Sequence, residues 1–115
     1  VEIINKYAAD KDDERHITID NLMKIHSDIS FLKIDVEGYE QKVLDGASRL
    51  LTGKGSMKIV ICTYHKDNDE KDFTSLLAKN GFSVKPSRGY MIFYDDRKLE
   101  EPYLRRGLLR AVRQY

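Results

Sequence analysis

Residues 31–40, FLKIDVEGYE, change character in their middle, and that change decides the fold. Phe31, Leu32 and Ile34, with one Lys33 among them, make the short apolar run of a mostly buried parallel strand, and the run stops at Asp35. From Gly38 onward the pattern is different. Val43, Leu44, Ala47, Leu50 and Leu51 recur at i, i+1, i+4, i+7 and i+8, the one-sided stripe of an amphipathic helix reaching Leu51, with Gly53 as its expected left-handed stop. Residues 58–62, KIVIC, then supply a second buried strand, so the unit reads strand, helix, strand.

Outward from this unit, Asp69 to Lys79 reads as a second helix with Phe73, Leu76 and Leu77 inward and Asn80-Gly81 as its stop. Residues 82–85 and 90–94 flank Pro86-Ser87-Arg88-Gly89 and read as an antiparallel hairpin. Upstream, residues 1–4 look like a strand and Asp10 to Arg15, DKDDER, like a solvated charged loop. Thr18 to Asn21 offers side-chain oxygens to cap a short helix that carries Leu22 and Ile25 on one face. The expected fold is α/β: a partial Rossmann-like sheet, mostly parallel with a carboxyl-terminal antiparallel hairpin, and helices on its faces. In such sheets the loops beyond the carboxyl ends of the strands hold the ligand.

The 115 residues bound one core, and 41% hydrophobic with 34% charged composition excludes both a disordered segment and a membrane span. A net charge of +1 gives no global field for nucleic acid or an anionic membrane, so neither is expected as a partner. The charge is uneven: Arg105, Arg106, Arg110 and Arg113 follow sixteen basic and nineteen acidic residues in 1–102. Leu104, Leu108 and Val112 stand at helical spacing, so residues 103–115 read as a basic tail able to form a short helix that packs on the body or on a second subunit. A single Cys62 and no signal-like apolar stretch make a reducing cytoplasmic setting the expectation. Val1 stands inside an apolar run without a preceding Met, and the chain reads as a piece of something longer.

Three side chains are the candidates for chemistry. Asp35 and Glu37 stand at the mouth of the sheet, where a carboxylate can accept a proton, orient a hydroxyl or bind a hard cation. His65 ends the second strand, in Cys62-Thr63-Tyr64-His65, and opens into the same crevice if the two strands are neighbours. Imidazoles ordinarily titrate near ~6.5, which suits proton transfer. Each has a structural counter-reading. Asp35 and Glu37 can serve the dipole of the following helix, Glu37 with Glu40 mimics a capping box, and Asp67, Asn68 and Asp69 suffice as caps of the next helix. Asp35, Glu37, His65 and Asp67 could also hold Mg²⁺ or Mn²⁺, but no tight ligand spacing calls for a metal. Gly53-Lys54-Gly55-Ser56 lies on the opposite edge and lacks the phosphate-loop pattern, and Cys62, at the end of a buried strand, reads as core.

FLKIDVEGYE, continuing as QKVLDGASRLL, resembles the signature of the FkbM-type methyltransferases, "KiDvEGyE…vL.Ga..ll". ICTYHKDND is similar to the next strand and loop of that family, and Gly89-Tyr90 to its closing hairpin. The resemblance implies a class I methyltransferase that uses S-adenosylmethionine to methylate a hydroxyl of a sugar, glycan or other small molecule. It places Asp35 and Glu37 at the family's active-site strand end and, less firmly, His65. The family's glycine-rich first strand and ribose-binding acidic strand have no counterpart here, so residues 1–102 look like the carboxyl-terminal part of a methyltransferase domain. Asp35 is the expected base, Glu37 the group orienting the acceptor and His65 the alternative base. The rival expectation is a non-catalytic binding or assembly module, which an unpaired sheet edge would favour as a homodimer.

Overall fold

The computed structural model describes residues 1–92, 101 and 103–114. In chain order its elements are β1 (Tyr7–Ala8), β2 (His16–Ile17), α1 (Ile19–Ile25), β3 (Phe31–Ile34), α2 (Glu40–Asp45), α3 (Ser48–Thr52), β4 (Met57–Cys62), α4 (Asp69–Lys79), β5 (Ser83–Pro86) and β6 (Leu108–Arg113). The main sheet has the order β3-β4-β6-β5, and β1 pairs with β2 in a separate parallel ribbon. β3 and β4 pair in parallel, with Ile34 opposite Ile61, while β6 runs antiparallel to both β4 and β5. β3, β4 and β5 therefore share one direction and β6 opposes them, so one of the three pairings is parallel and the sheet is mixed, not mostly parallel as expected.

The two strands read from their apolar runs form where expected and side by side, because α2 and α3 carry the chain back over the sheet. Ile34, Ile59, Ile61, Leu109 and Ala111 of the sheet meet Val43, Leu44, Leu50 and Leu51 of α2–α3 and Phe73 and Leu77 of α4 in one buried core. Burying each such large side chain stabilises the fold by about 1.5–3 kcal/mol. α4 has the expected bounds, and Gly81 at φ +81° closes it. α1 starts at Thr18, whose Oγ1 accepts the Asn21 N–H at 3.0 Å. Ile25, expected inward, is 65% exposed.

Several expectations are corrected. The stripe from Gly38 to Leu51 forms two helices, broken at Gly46-Ala47, because the backbone there is committed elsewhere. Gly46 O accepts from Asp20 N at 2.9 Å, and a Cβ on Gly46 would come 2.0 Å from Ala9 O. Asp20 then restarts the helix, its carboxylate accepting the N–H groups of Arg49 and Leu50. Gly53 is extended, at φ −62° and ψ 163°, not left-handed. Residues 1–4 form no strand, and the first pairing is at Tyr7. β3 is less buried than a central strand, with Phe31 56% exposed, since among the described residues only β4 pairs with it.

The last correction concerns the carboxyl end. β5 pairs with β6, and of residues 90–94 only Met91 makes a bridge, to Arg105; Phe93 and Tyr94 lie outside the described residues. The tail is a strand between β4 and β5, not a helix. Leu104, Leu108 and Val112 fit a helical stripe, but as even-numbered positions they also share one face of a strand, and Leu109 and Ala111 fill the other face at 0% exposure. Burial between two strands decides the matter.

Candidate active site

The chain leaves β3 through a tight turn, Val36-Glu37-Gly38-Tyr39, closed by the Tyr39 N–H donating to Val36 O at 3.2 Å. Glu37 has φ +52° and Gly38 φ +93°, the two positive angles of a type I′ turn. Glycine adopts this conformation freely, whereas a glutamate there costs about 1–2 kcal/mol. Glu37 is the one described residue other than glycine with positive φ, and its side chain is 87% exposed. The turn delivers the chain into α2, whose first residue, Glu40, is 1% exposed and reaches back to accept the Val36 N–H at 3.0 Å. Tyr39, at the helix cap, makes no side-chain cap bond. Asp35 accepts from Tyr64 Oη at 3.1 Å across the strands and lies 3.8 Å from Lys33 Nζ.

Asp35, Glu37 and His65 come together because β3 and β4 end in the same direction. His65 sits between two carboxylates, with Nδ1 2.8 Å from Glu40 Oε1 and Nε2 3.5 Å from Glu37 Oε2. These are ion-pair distances without hydrogen-bond alignment: both ring nitrogens are buried and neither makes a hydrogen bond. The tilted Tyr64 ring covers the imidazole, centroid to centroid at 4.1 Å. Burial works to raise the Asp35 carboxyl, but donation from the Cys62 thiol and Tyr64 hydroxyl, with Lys33 beyond, outweighs it and holds the group below its ordinary value. Conversely, burial and the Asp35 carboxylate push the Cys62 thiol up to about 11 and the Tyr64 phenol up to about 12. Cys62 is buried, in keeping with its reading as core.

The loop after β4 is fixed from the tail. Arg105 donates to Tyr64 O at 2.9 Å and pairs with Asp67, so Asp67 is engaged away from the cluster. Asp69 accepts the Lys66 N–H at 2.9 Å, and burial raises its carboxyl. Glu40 was expected only as a cap and Arg105 only as part of the basic tail, and neither was expected at the site. Glu40 had a signal: with Val43, Leu44 and Ala47 it occupies i, i+3, i+4 and i+7, so a carboxylate stands on the buried stripe. Arg105 had none, since its partner loop is about forty residues away.

Beside the turn opens a cleft of about 690 Å³ with a mainly apolar lining, including Tyr7, His16, Val36, Tyr39 and Lys42, and Glu37 stands on its rim. The described residues do not fit a whole S-adenosylmethionine site. No glycine-rich turn lies at the carboxyl end of a strand, and Gly53 and Gly55 precede β4 at the opposite end. Gly38 is at the correct end, but His65 Cβ and Lys66 Cε already lie within 3.8 Å of where its Cβ would stand.

The paired carboxylates and the imidazole stand beyond adjacent parallel strand ends, where α/β sheets generally take their ligands. Residues 6–90 match the family described as Methyltransferase FkbM domain, and the chain belongs to that family. No curated protein and no solved structure matches the chain at a significant level. Among the described residues no helix is long and apolar enough to cross a membrane.

Proposed function

We propose that the chain serves an S-adenosylmethionine-dependent O-methyltransferase acting on a hydroxyl of a sugar or other small molecule, with the acceptor held at the mouth of β3 and β4. The observation that carries this reading, beside family membership, is Glu37: an exposed carboxylate fixed in a strained turn on the rim of the cleft. Strain retained at an exposed, charged position marks a site where geometry serves function. In this reading the chain, with β6 inside its sheet and not as a separate tail, is the carboxyl-terminal part of a methyltransferase domain and supplies its acceptor side. The methyl donor supplies an electrophilic methyl group and is bound by other parts of the domain.

The residues divide the work by access. The buried nitrogens of His65 do not meet an incoming hydroxyl, so His65 lies behind the site and next to Glu37. Asp35 is occupied by donors and orients the acceptor oxygen together with Tyr64. Glu37, free of such donors and beside the cleft, takes the hydroxyl proton as the methyl group is attacked. Positioning supplies most of the acceleration in such a transfer, and a base contributes about 10²- to 10⁴-fold. Methyl-transfer assays on the whole methyltransferase domain carrying Glu37→Gln should show kcat lowered about 10²-fold with the fold intact. Near-full turnover by that variant, alongside loss in Asp35→Asn, would return the base to Asp35.

A second reading is favoured by the edge of β3, which is paired on one side only among the described residues and exposes Phe31. In it the chain is a non-catalytic module that dimerises through that edge. A monomer by light scattering at all concentrations would dismiss it.

A further inference from the structure

We propose that Asp35, Glu40 and His65 form a binding site for a divalent transition-metal ion of the Mn²⁺ or Zn²⁺ type. One ligand atom from each lies within 4.8 Å of the others, although the residues come from the end of β3, the first turn of α2 and the segment after β4. The fold, not local sequence, assembles them.

Three observations point to a cation. First, the His65 side chain is 11% exposed and both its ring nitrogens are buried without a hydrogen bond. Buried polar atoms of a native protein almost always have a partner, and an unpaired pair of them on one ring requires an explanation. Second, the spacing is compatible with coordination while the alignment is not that of a hydrogen bond. Nδ1 and Glu40 Oε1 are 2.8 Å apart but unaligned, and two donors at ~2.1 Å from one ion at right angles stand ~3.0 Å apart. Third, the charge is unbalanced. Glu40 is 1% exposed, Glu37 flanks the ring on its other side, and among the described residues the His65 imidazole is the one basic side chain within ion-pair distance of either. A carboxylate so buried is costly unless a positive charge compensates it.

The donor set selects the ion class. An imidazole nitrogen with two carboxylates suits a first-row transition ion, whereas Mg²⁺ and Ca²⁺ prefer oxygen alone. Asp35, at 34% side-chain exposure, marks the open side of the site, where water or an acceptor oxygen completes the coordination. An ion there would acidify a bound hydroxyl for the proton transfer to Glu37. That last role rests on the methyl-transfer reading; the binding itself does not.

The test is a titration of the metal-stripped full chain with Mn²⁺, followed by electron paramagnetic resonance of the free ion, and with Zn²⁺ by calorimetry, with Mg²⁺ as control. One Mn²⁺ or Zn²⁺ per chain should bind in the micromolar range, with Mg²⁺ weaker and with affinity falling about tenfold or more in His65→Gln and in Asp35→Asn. Glu40 is too buried for its substitution to be decisive, whereas the other two variants can be checked for folding by circular dichroism. Absence of saturable Mn²⁺ or Zn²⁺ binding up to millimolar concentration, or binding unchanged in folded His65→Gln, would overturn the site. A bound ion in a chain whose Glu37→Gln variant loses no methyl transfer would leave the site standing and remove the proposed base instead.

Discussion

The two ends of β4 treat charge in opposite ways. At its amino end Arg113 is saturated: Nη1 donates to Leu51 O, Nη2 to Leu50 O at 3.0 Å and Nε to Gly55 O at 3.1 Å, while the guanidinium lies over the Phe82 ring. One side chain thus closes the carboxyl end of α3, a task that the extended Gly53 does not perform. At the carboxyl end of β4 the charges are crowded and left short of partners. Glu40 is buried, His65 has no aligned hydrogen bond, and Glu37 is held at positive φ. Satisfied charge at one end stabilises the fold. Unsatisfied charge and strain at the other are what a ligand can relieve.

Removing Arg113 is the most severe way to break this contrast. Arg113→Ala strands the last carbonyls of α3, and hydrogen bonds to a charged donor contribute about 1.5–3 kcal/mol in such settings. The half-buried site allows water to replace part of that, so a loss of about 2–3 kcal/mol is expected from urea unfolding. Arg110→Ala, on the exposed face of the same strand, should stay within about 0.5 kcal/mol. Equal effects would mean that tail arginines act through general charge, not through capping. The opposite sign is expected at the other end. Glu37→Gly removes about 1–2 kcal/mol of left-handed strain and adds about 0.5–1 kcal/mol of chain entropy cost, for a net gain of about 0.5–1 kcal/mol. The same variant should lose methyl transfer. A neutral or destabilised Glu37→Gly would show that the turn is not strained.

The contrast also explains how much could be read from the chain alone. β3, β4, α4 and the Thr18 cap follow from local pattern, because their apolar spacing admits one reading. The mouth with Asp35, Glu37 and His65 follows too, since the carboxyl ends of parallel strands are the ligand side by topology. What failed was non-local. The stripe Leu104-Leu108-Val112 satisfies period 3.6 and period 2 alike, so only the groove between β4 and β5 makes it a strand. The break at Gly46 is imposed by Ala9 O and Asp20, each distant in sequence. Asp35 and Glu37 were legible as residues of the mouth, but the burial of Glu40 and His65 is a property of packing.

A smaller effect sharpens the same comparison in a third region, the loop between β1 and β2. Read as merely solvated, its charges are in fact placed: Asp12 accepts from both the N–H and Oγ1 of Thr18 at 2.9 Å, and Asp10 pairs with Lys42 at 2.7 Å. The bond from the Thr18 N–H, ahead of the opposing effect of burial, holds the Asp12 carboxyl below 3.8. A lowered folded-state value means that the unfolded chain takes up this proton first. The contribution of Asp12 is therefore complete above 3.8 and fades as pH falls through its lower folded value. Asp69, raised by burial, works in the other direction, its ionised form being the one that folding disfavours. Asp12→Asn should accordingly lower the urea midpoint at neutral pH by a small amount that shrinks as the solution is acidified well below 3.8, while the amide resonance of Thr18 shifts with it. A deficit that stays constant with pH would show that Asp12 holds the loop by shape and not by its charge.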